Sequence, residues 1–157
     1  MISNKTASLF RACCEVAAIV ASASKQSANL VMRYGYEIGR AFQITDDVLD
    51  IFGSKEFGKK IGKDIEEGKR GNILIYRSMA ALDREGRSKL EYVLRGNNKA
   101  GINSAINLIR STNVRDSVGE FRNHFVRLSN NVIESFPSSI WKSQMIRIAN
   151  LMLSRKI

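Results

Sequence analysis

Three aspartates crowd into the run Asp46-Asp47-Val48-Leu49-Asp50. On a helix, Asp46 and Asp50 stand four positions apart and share a face, with Asp47 one step around. Like charges at that spacing repel by about 0.2–0.5 kcal/mol per pair, and a divalent cation relieves the repulsion. Carboxylate oxygens suit Mg2+, which completes its shell with waters and substrate phosphate oxygens. A solvated acidic patch has the same bare pattern. Two features of the surroundings point towards a ligand instead. Phe42, Gln43, Ile44, Val48 and Leu49 set the carboxylates beside an apolar stripe rather than on a uniformly polar face. A lysine-glycine stretch then follows, with Lys55, Lys59, Lys60, Lys63 and Lys69 among Gly53, Gly58, Gly62, Gly68 and Gly71. Acidic groups that hold a metal, followed by lysines on a pliable loop, suit a diphosphate. Metal and ammonium groups divide its neutralisation, and glycines let backbone come close. On its own, the loop also reads as ordinary solvated surface.

These groups need rigid elements to hold them. One proline in 157 residues and few alternating apolar runs predict an all-α protein. A first helix is expected over 5–22, where Leu9, Phe10, Cys13, Val16, Ala17 and Val20 recur at three- and four-residue steps. After a break at 24–27, a long second helix is expected over 28–52. Its stripe is Leu30, Val31, Tyr34, Ile38, Ala41, Phe42, Thr45, Val48 and Leu49. Residues 53–71 read as a cationic loop with a short turn near Asp64 to Glu67. Helices resume over 73–82, 87–94 and 102–111, punctuated by Gly86, Gly96 and Gly101, and a further one runs over 114–136. Pro137 ahead of Ser138 and Ser139 marks a stop and a new cap. The last helix, over 140–154, ends in Arg155 and Lys156, whose charge suits a helix C-terminus. About seven helices in one domain over 1–157 are expected, and no internal repeat is visible.

With 44% apolar residues the chain can bury a real core, and its net charge is +10. A basic balance fits an anionic ligand, a nucleic acid, an acidic membrane surface or a plain soluble surface. No nucleic-acid partner is expected, because aromatic interleaving and a recognisable helix-turn-helix are both missing. No apolar run approaches the ~20 residues of a membrane span. Lys5 and Thr6 follow Met1 too closely for a secretory leader to be expected. Cys13 and Cys14 are adjacent, so on a helix they point about 100° apart and do not bridge. They read as reduced thiols in or near the core of a cytoplasmic protein. With the single His124 they make no zinc site of the usual kind. His124, near Phe121, Phe125 and Leu128, reads as structural, and Trp141 is expected to pack the last helix.

The segment Gly39-Arg40-Ala41-Phe42-Gln43-Ile44-Thr45-Asp46-Asp47-Val48-Leu49-Asp50 resembles the second aspartate-rich region of the trans-isoprenyl diphosphate synthases, the polyprenyl synthetase family. Lys5-Thr6-Ala7 with Leu9-Phe10 resembles that family's lysine-threonine signature on the preceding helix. Gly58-Lys59 to Gly62, Asp64 and Gly68-Lys69 resemble its loop after the motif. The three motifs stand in the family's order, and the resemblance covers nearly the whole chain. It implies the C-terminal part of the isoprenoid synthase helical fold. It further implies that Asp46, Asp47 and Asp50 hold Mg2+ bound to an allylic diphosphate, and that Lys5 contacts that diphosphate with Thr6 lining the tail pocket. Gln43 would steady a carbocation-like centre, Phe42 would lie against the substrates, and Lys59 and Lys69 would add charge to the diphosphate site. The implied reaction is head-to-tail condensation. The allylic diphosphate ionises, the double bond of isopentenyl diphosphate attacks the cation, and a proton leaves. Magnesium and lysines stabilise the departing diphosphate.

The family also carries a first aspartate-rich motif and an N-terminal basic region that binds isopentenyl diphosphate, and neither occurs in these 157 residues. Asp64-Ile65-Glu66-Glu67 is acidic but has the wrong pattern. The chain is therefore expected to represent the C-terminal half of the domain and to be inactive alone. Where the family tends to place threonine and often proline after Lys69, this chain has Arg70-Gly71-Asn72. A helix face without its opposite wall invites association, so a homo-oligomer, dimer or higher, is expected. The alternative function is a non-catalytic regulatory subunit of a heteromeric prenyltransferase. The intact aspartate run speaks against it, since a decayed subunit has no need of an unrelieved acidic cluster.

Overall fold

The computed structural model describes residues 6–53, 60–96 and 99–154. Its helices are α1 (Thr6–Val20), α2 (Lys25–Phe52), α3 (Lys63–Glu66), α4 (Ile73–Ala81), α5 (Arg84–Leu94), α6 (Ile102–Arg110), α7 (Val114–Glu134) and α8 (Ile140–Ser154), with a 3-10 turn over Lys99–Gly101. Among the described residues there is no strand. The all-α expectation therefore holds, and the eighth helix is the short turn anticipated around Asp64. No described helix is long and apolar enough to cross a membrane. The described residues fall into two compact units, 6–45 with 120–154, and 46–119.

In the first unit, α2 begins at Lys25, earlier than expected. The Ser24 hydroxyl accepts the Ser27 N–H at 3.2 Å and its carbonyl accepts the Ala28 N–H at 2.8 Å, which makes Ser24 the N-cap. The break lies before it, at Ser22, whose φ is 50°. Helices α1 and α2 approach closely where α2 has no side chain. A Cβ on Gly39 would stand 2.6 Å from Ala7 Cα, and one on Gly35 would stand 2.5 Å from Cys14 Sγ. On another side of α2, the Tyr34 hydroxyl donates to the Met145 carbonyl at 2.8 Å and Thr45 Oγ1 donates to the Met152 carbonyl at 3.4 Å, tying down α8. The Arg40 guanidinium lies 3.7 Å from the centroid of the Phe125 ring on α7. Ile38, Ala41, Ile44, Phe125, Val126, Ile133 and Ala149 form the core. Each large side chain there contributes about 1.5–3 kcal/mol relative to exposure.

Three expectations fail here, on the α1 stripe, on Trp141 and on Cys13, which was placed in or near the core. Leu9, Val16 and Val20 do recur on one face of α1, but that face is open, with Val20 80% exposed. Trp141 is 76% exposed rather than packed. Cys13 is exposed and Cys14 half-buried, both as free thiols. Periodicity identifies a helix face without saying what it meets.

In the second unit, the last turns of α2 join α3 to α6 and the start of α7. Helix α6 packs against α3, α4 and α5 around Leu74, Ile75, Leu90, Ile106 and Ile109. Helix α5 starts at Arg84 rather than Arg87, because Asp83 caps it by accepting the Gly86 N–H at 2.7 Å. Gly86 is thus buried in the first turn instead of marking a break. The C-terminal end of α2 is closed by Arg110, whose Nε and Nη2 donate to the Ile51 carbonyl at 2.9 and 2.6 Å.

Candidate functional site

Between Ala41 and Asp50, α2 is buried on all but one side. The half-buried positions are Phe42, Gln43, Asp46 and Leu49. Phe42, Asp46 and Leu49 follow one another at four- and three-residue steps, so they share a face of the helix with Gln43 beside them. Three of these four residues are ones the family resemblance singled out.

Within the first unit, the Thr6 hydroxyl donates to Gln43 Oε1, and the rings of Phe10 and Phe42 meet with centroids 5.4 Å apart. The structure thus brings together Thr6, Phe42 and Gln43. Gly39 permits this, since any side chain there would push α1 away. The bond fixes the orientation of the Gln43 amide, whose oxygen accepts. Lys5 and Lys59 lie outside the described residues.

Within the second unit, the three aspartates do different things. Asp47 and Asp50 are each 2% exposed, whereas Asp46 is half-buried. Asp47 Oδ2 accepts the Ile73 N–H at 2.8 Å, at the start of α4. Asp50 Oδ1 and Oδ2 accept the N–H groups of Lys63 and Asp64 at 3.1 and 3.2 Å, at the start of α3. Helix N-termini offer unpaired N–H groups and partial positive charge, so these carboxylates cap two helices from a distance. Gly62 makes the turn into α3 with φ 76°, a conformation that favours glycine, and donates its N–H to the Asp50 carbonyl at 2.7 Å.

Among the described residues of the loop, Lys60, Lys63 and Lys69 are paired within it. Lys69 Nζ lies 2.5 Å from Glu67 Oε2 and 3.3 Å from Asp64 Oδ1. Glu67 first, then Asp64, raises the Lys69 pKa, and Lys69 lowers that of Glu67. Lys60 meets Glu66 at 2.6 Å and Lys63 meets Glu67 at 3.6 Å. An anion arriving here competes with these carboxylates for the ammonium groups.

Hard carboxylate oxygens are the right donors for Mg2+. Among the described residues, however, no group of three or more His, Cys, Asp and Glu side chains is placed to hold a metal ion. Mg2+ commonly takes one or two carboxylates and fills its octahedron with waters and substrate phosphates. The carboxylate chemistry fits the ion in that form, and Asp46 is the member of the run that is half-buried rather than buried.

Two residues in this region escaped sequence reading. Asn72 caps α4, accepting from the Leu74 and Ile75 N–H groups. An asparagine directly before Ile73-Leu74-Ile75 is a cap signal that could have been read. Arg110 reaches Ile51 across 59 positions, and nothing local marks it.

A family model described as polyprenyl synthetase matches residues 1–109. The chain is 35% identical over 99 residues to a short chain isoprenyl diphosphate synthase of Methanocaldococcus jannaschii, covering 62% of this chain and 30% of that one. It is 31% identical to a prenyl transferase of Cyanidium caldarium over 97% of this chain and 46% of that one. Its fold matches a crystal structure of a polyprenyl synthase from Caulobacter crescentus, complexed with calcium and isoprenyl diphosphate. There the TM-score is 0.90 at 27% identity, covering 99% of this chain and 48% of that one. The chain spans about half the length of the relatives it matches, or less.

Proposed function

The chain belongs to the polyprenyl synthetase family, and on that footing we propose that it forms the C-terminal, diphosphate-handling half of a magnesium-dependent prenyltransferase. The reaction is condensation of isopentenyl diphosphate with an allylic diphosphate, in the manner of geranylgeranyl and longer polyprenyl diphosphate synthases. The observation that carries this reading is the aspartate run of α2, in which Asp47 and Asp50 are buried and Asp46 is half-buried. Mg2+, when bound, would neutralise the leaving diphosphate. Asp46 would hold it directly, and Asp47 and Asp50, the other two members of the run, would support it while tied to α4 and α3. Gln43, oriented by Thr6, would present its amide to the reacting end of the allylic chain, and Phe42 would lie against that chain. Lys69 would exchange Glu67 for a diphosphate oxygen. Lys5 and Lys59 would join it. The open apolar face of α1 supports association of copies of this chain, and catalysis would require the first aspartate-rich motif, which these residues lack.

Calorimetric titration with inorganic diphosphate, with and without Mg2+, tests this reading. Binding that needs Mg2+ and disappears in Asp46→Ala supports it. Absence of binding in the parent chain rejects it in favour of a non-catalytic regulatory subunit. That second reading draws on the backbone engagement of Asp47 and Asp50, which gives both carboxylates a structural use without any metal.

A further inference from the structure

We propose that Asn72 is a positioning residue for the metal-bound diphosphate: its side chain closes a hydrogen-bonded ring that locks the start of α3 and the start of α4 onto the aspartate stretch of α2. The inference rests on the diphosphate reading above, and deepens it.

Asn72 is 2% exposed and uses both ends of its amide. Oδ1 accepts the Leu74 and Ile75 N–H groups at 2.9 and 3.4 Å, an ordinary N-cap. Nδ2 turns the other way. It donates to the Asp47 carbonyl on α2 at 3.2 Å and to Asp64 Oδ2 on α3 at 3.0 Å. The remaining links close the circuit. Asp47 Oδ2 accepts the N–H of Ile73, the next residue after Asn72, and the Asp64 N–H donates back to Asp50 Oδ2. Two separate helix starts are thus referred to one turn of α2, and Asn72 touches both.

The chemistry selects an amide for this place. Capping α4 needs an acceptor, while bridging Asp64 and the Asp47 carbonyl needs two N–H donors, and only asparagine or glutamine offers both. A buried donor pair facing a carboxylate also offsets part of the negative charge gathered here by Asp47, Asp50 and Asp64. With Asp47 and Asp50 held to backbone, the ring fixes the turn of α2 that also carries the half-buried Asp46. Asn72 would touch neither metal nor substrate. It acts through the aspartates.

Two substitutions separate the bridge from the cap. Asn72→Asp and Asn72→Ser both keep an oxygen that caps α4, and both lose the Nδ2 donors. The first adds a charge beside Asp64 and the second does not. The experiment combines amide hydrogen exchange by NMR with calorimetric titration of Mg2+ and inorganic diphosphate. In both variants, Leu74 and Ile75 should keep their protection. Lys63 and Asp64 should exchange about tenfold faster, and affinity should fall about tenfold, as expected for the loss of one or two buried hydrogen bonds. Asp46→Ala should lose binding while leaving exchange at Lys63 and Asp64 unchanged. Unaltered exchange at Lys63 and Asp64 in Asn72→Ser overturns the ring. Faster exchange with parental affinity means the ring serves the fold alone and overturns the positioning role. A parent chain that does not bind at all overturns the diphosphate reading itself, and the positioning role with it.

Discussion

Asp50 accepts the backbone N–H groups of both Lys63 and Asp64, at 3.1 and 3.2 Å, from a position 2% exposed to solvent. A four-residue helix does not hold together by itself, so α3 depends on this carboxylate. Asp50→Ala leaves two donors unpaired and should cost about 2–3 kcal/mol. Asp50→Asn keeps one acceptor oxygen and should cost roughly half as much. Asp46→Ala, at a half-open position, should stay within about 0.5 kcal/mol of the parent. Urea unfolding checks all three, and an Asp50→Ala variant as stable as the parent would remove the capping role.

The Thr6 hydroxyl and the Gln43 amide are coupled across 37 positions. A double-mutant cycle with Thr6→Val and Gln43→Leu should return a coupling of about 1 kcal/mol. Additive single losses would show that the bond contributes nothing to the fold.

Two glycines should respond in opposite directions to alanine. At Gly39 a Cβ would stand 2.6 Å from Ala7 Cα, which is backbone and cannot swing aside, so Gly39→Ala should destabilise by about 1–3 kcal/mol. At Gly119, inside α7, a Cβ meets nothing within 4 Å, so Gly119→Ala should stabilise by about 0.5–1 kcal/mol. Thermal melts of the pair settle the matter, and equal shifts would refute the close approach of α1 and α2.

Burial, with a smaller contribution from Cys14, raises the Tyr34 pKa above its ordinary 10.0. Burial, then Cys13, raises Cys14 above 9.0. In the unfolded chain both groups lose their protons at the ordinary values, while the folded chain keeps them. The folded state therefore binds more protons in this window, and stability falls as pH rises past about 9 and further past about 10. Urea midpoints measured from pH ~8 to ~11 should decline, and Tyr34→Phe should flatten the upper part of the slope. A thiol reagent near pH ~8 should modify exposed Cys13 before half-buried Cys14. Equal rates would contradict the burial of Cys14.

Helix positions were legible along most of the chain. The stop at Pro137 and the new cap, for example, reappear as Ser139 Oγ accepting the Lys142 N–H ahead of α8. Missed boundaries trace to caps passed over, at Ser24 and Asp83. The second aspartate-rich stretch was equally visible, because its spacing is local to one helix.

The sequence by itself determined that the protein is helical, where its helices begin and end to within a few residues, and that Phe42, Gln43 and three aspartates ride together on α2. Caps and periodicity involve neighbours no more than about four residues apart, so they are written in order along the chain. Only the tertiary structure decided that the three aspartates divide their work. The partners of Asp50 and Asp47 lie 13, 14 and 26 positions away, on the N-termini of α3 and α4. The same distinction explains Trp141, whose exposure depends on what lies across from α8 and not on its own neighbours. A carboxylate's chemistry is set by which donors reach it first, and folding brings those donors from elsewhere in the chain.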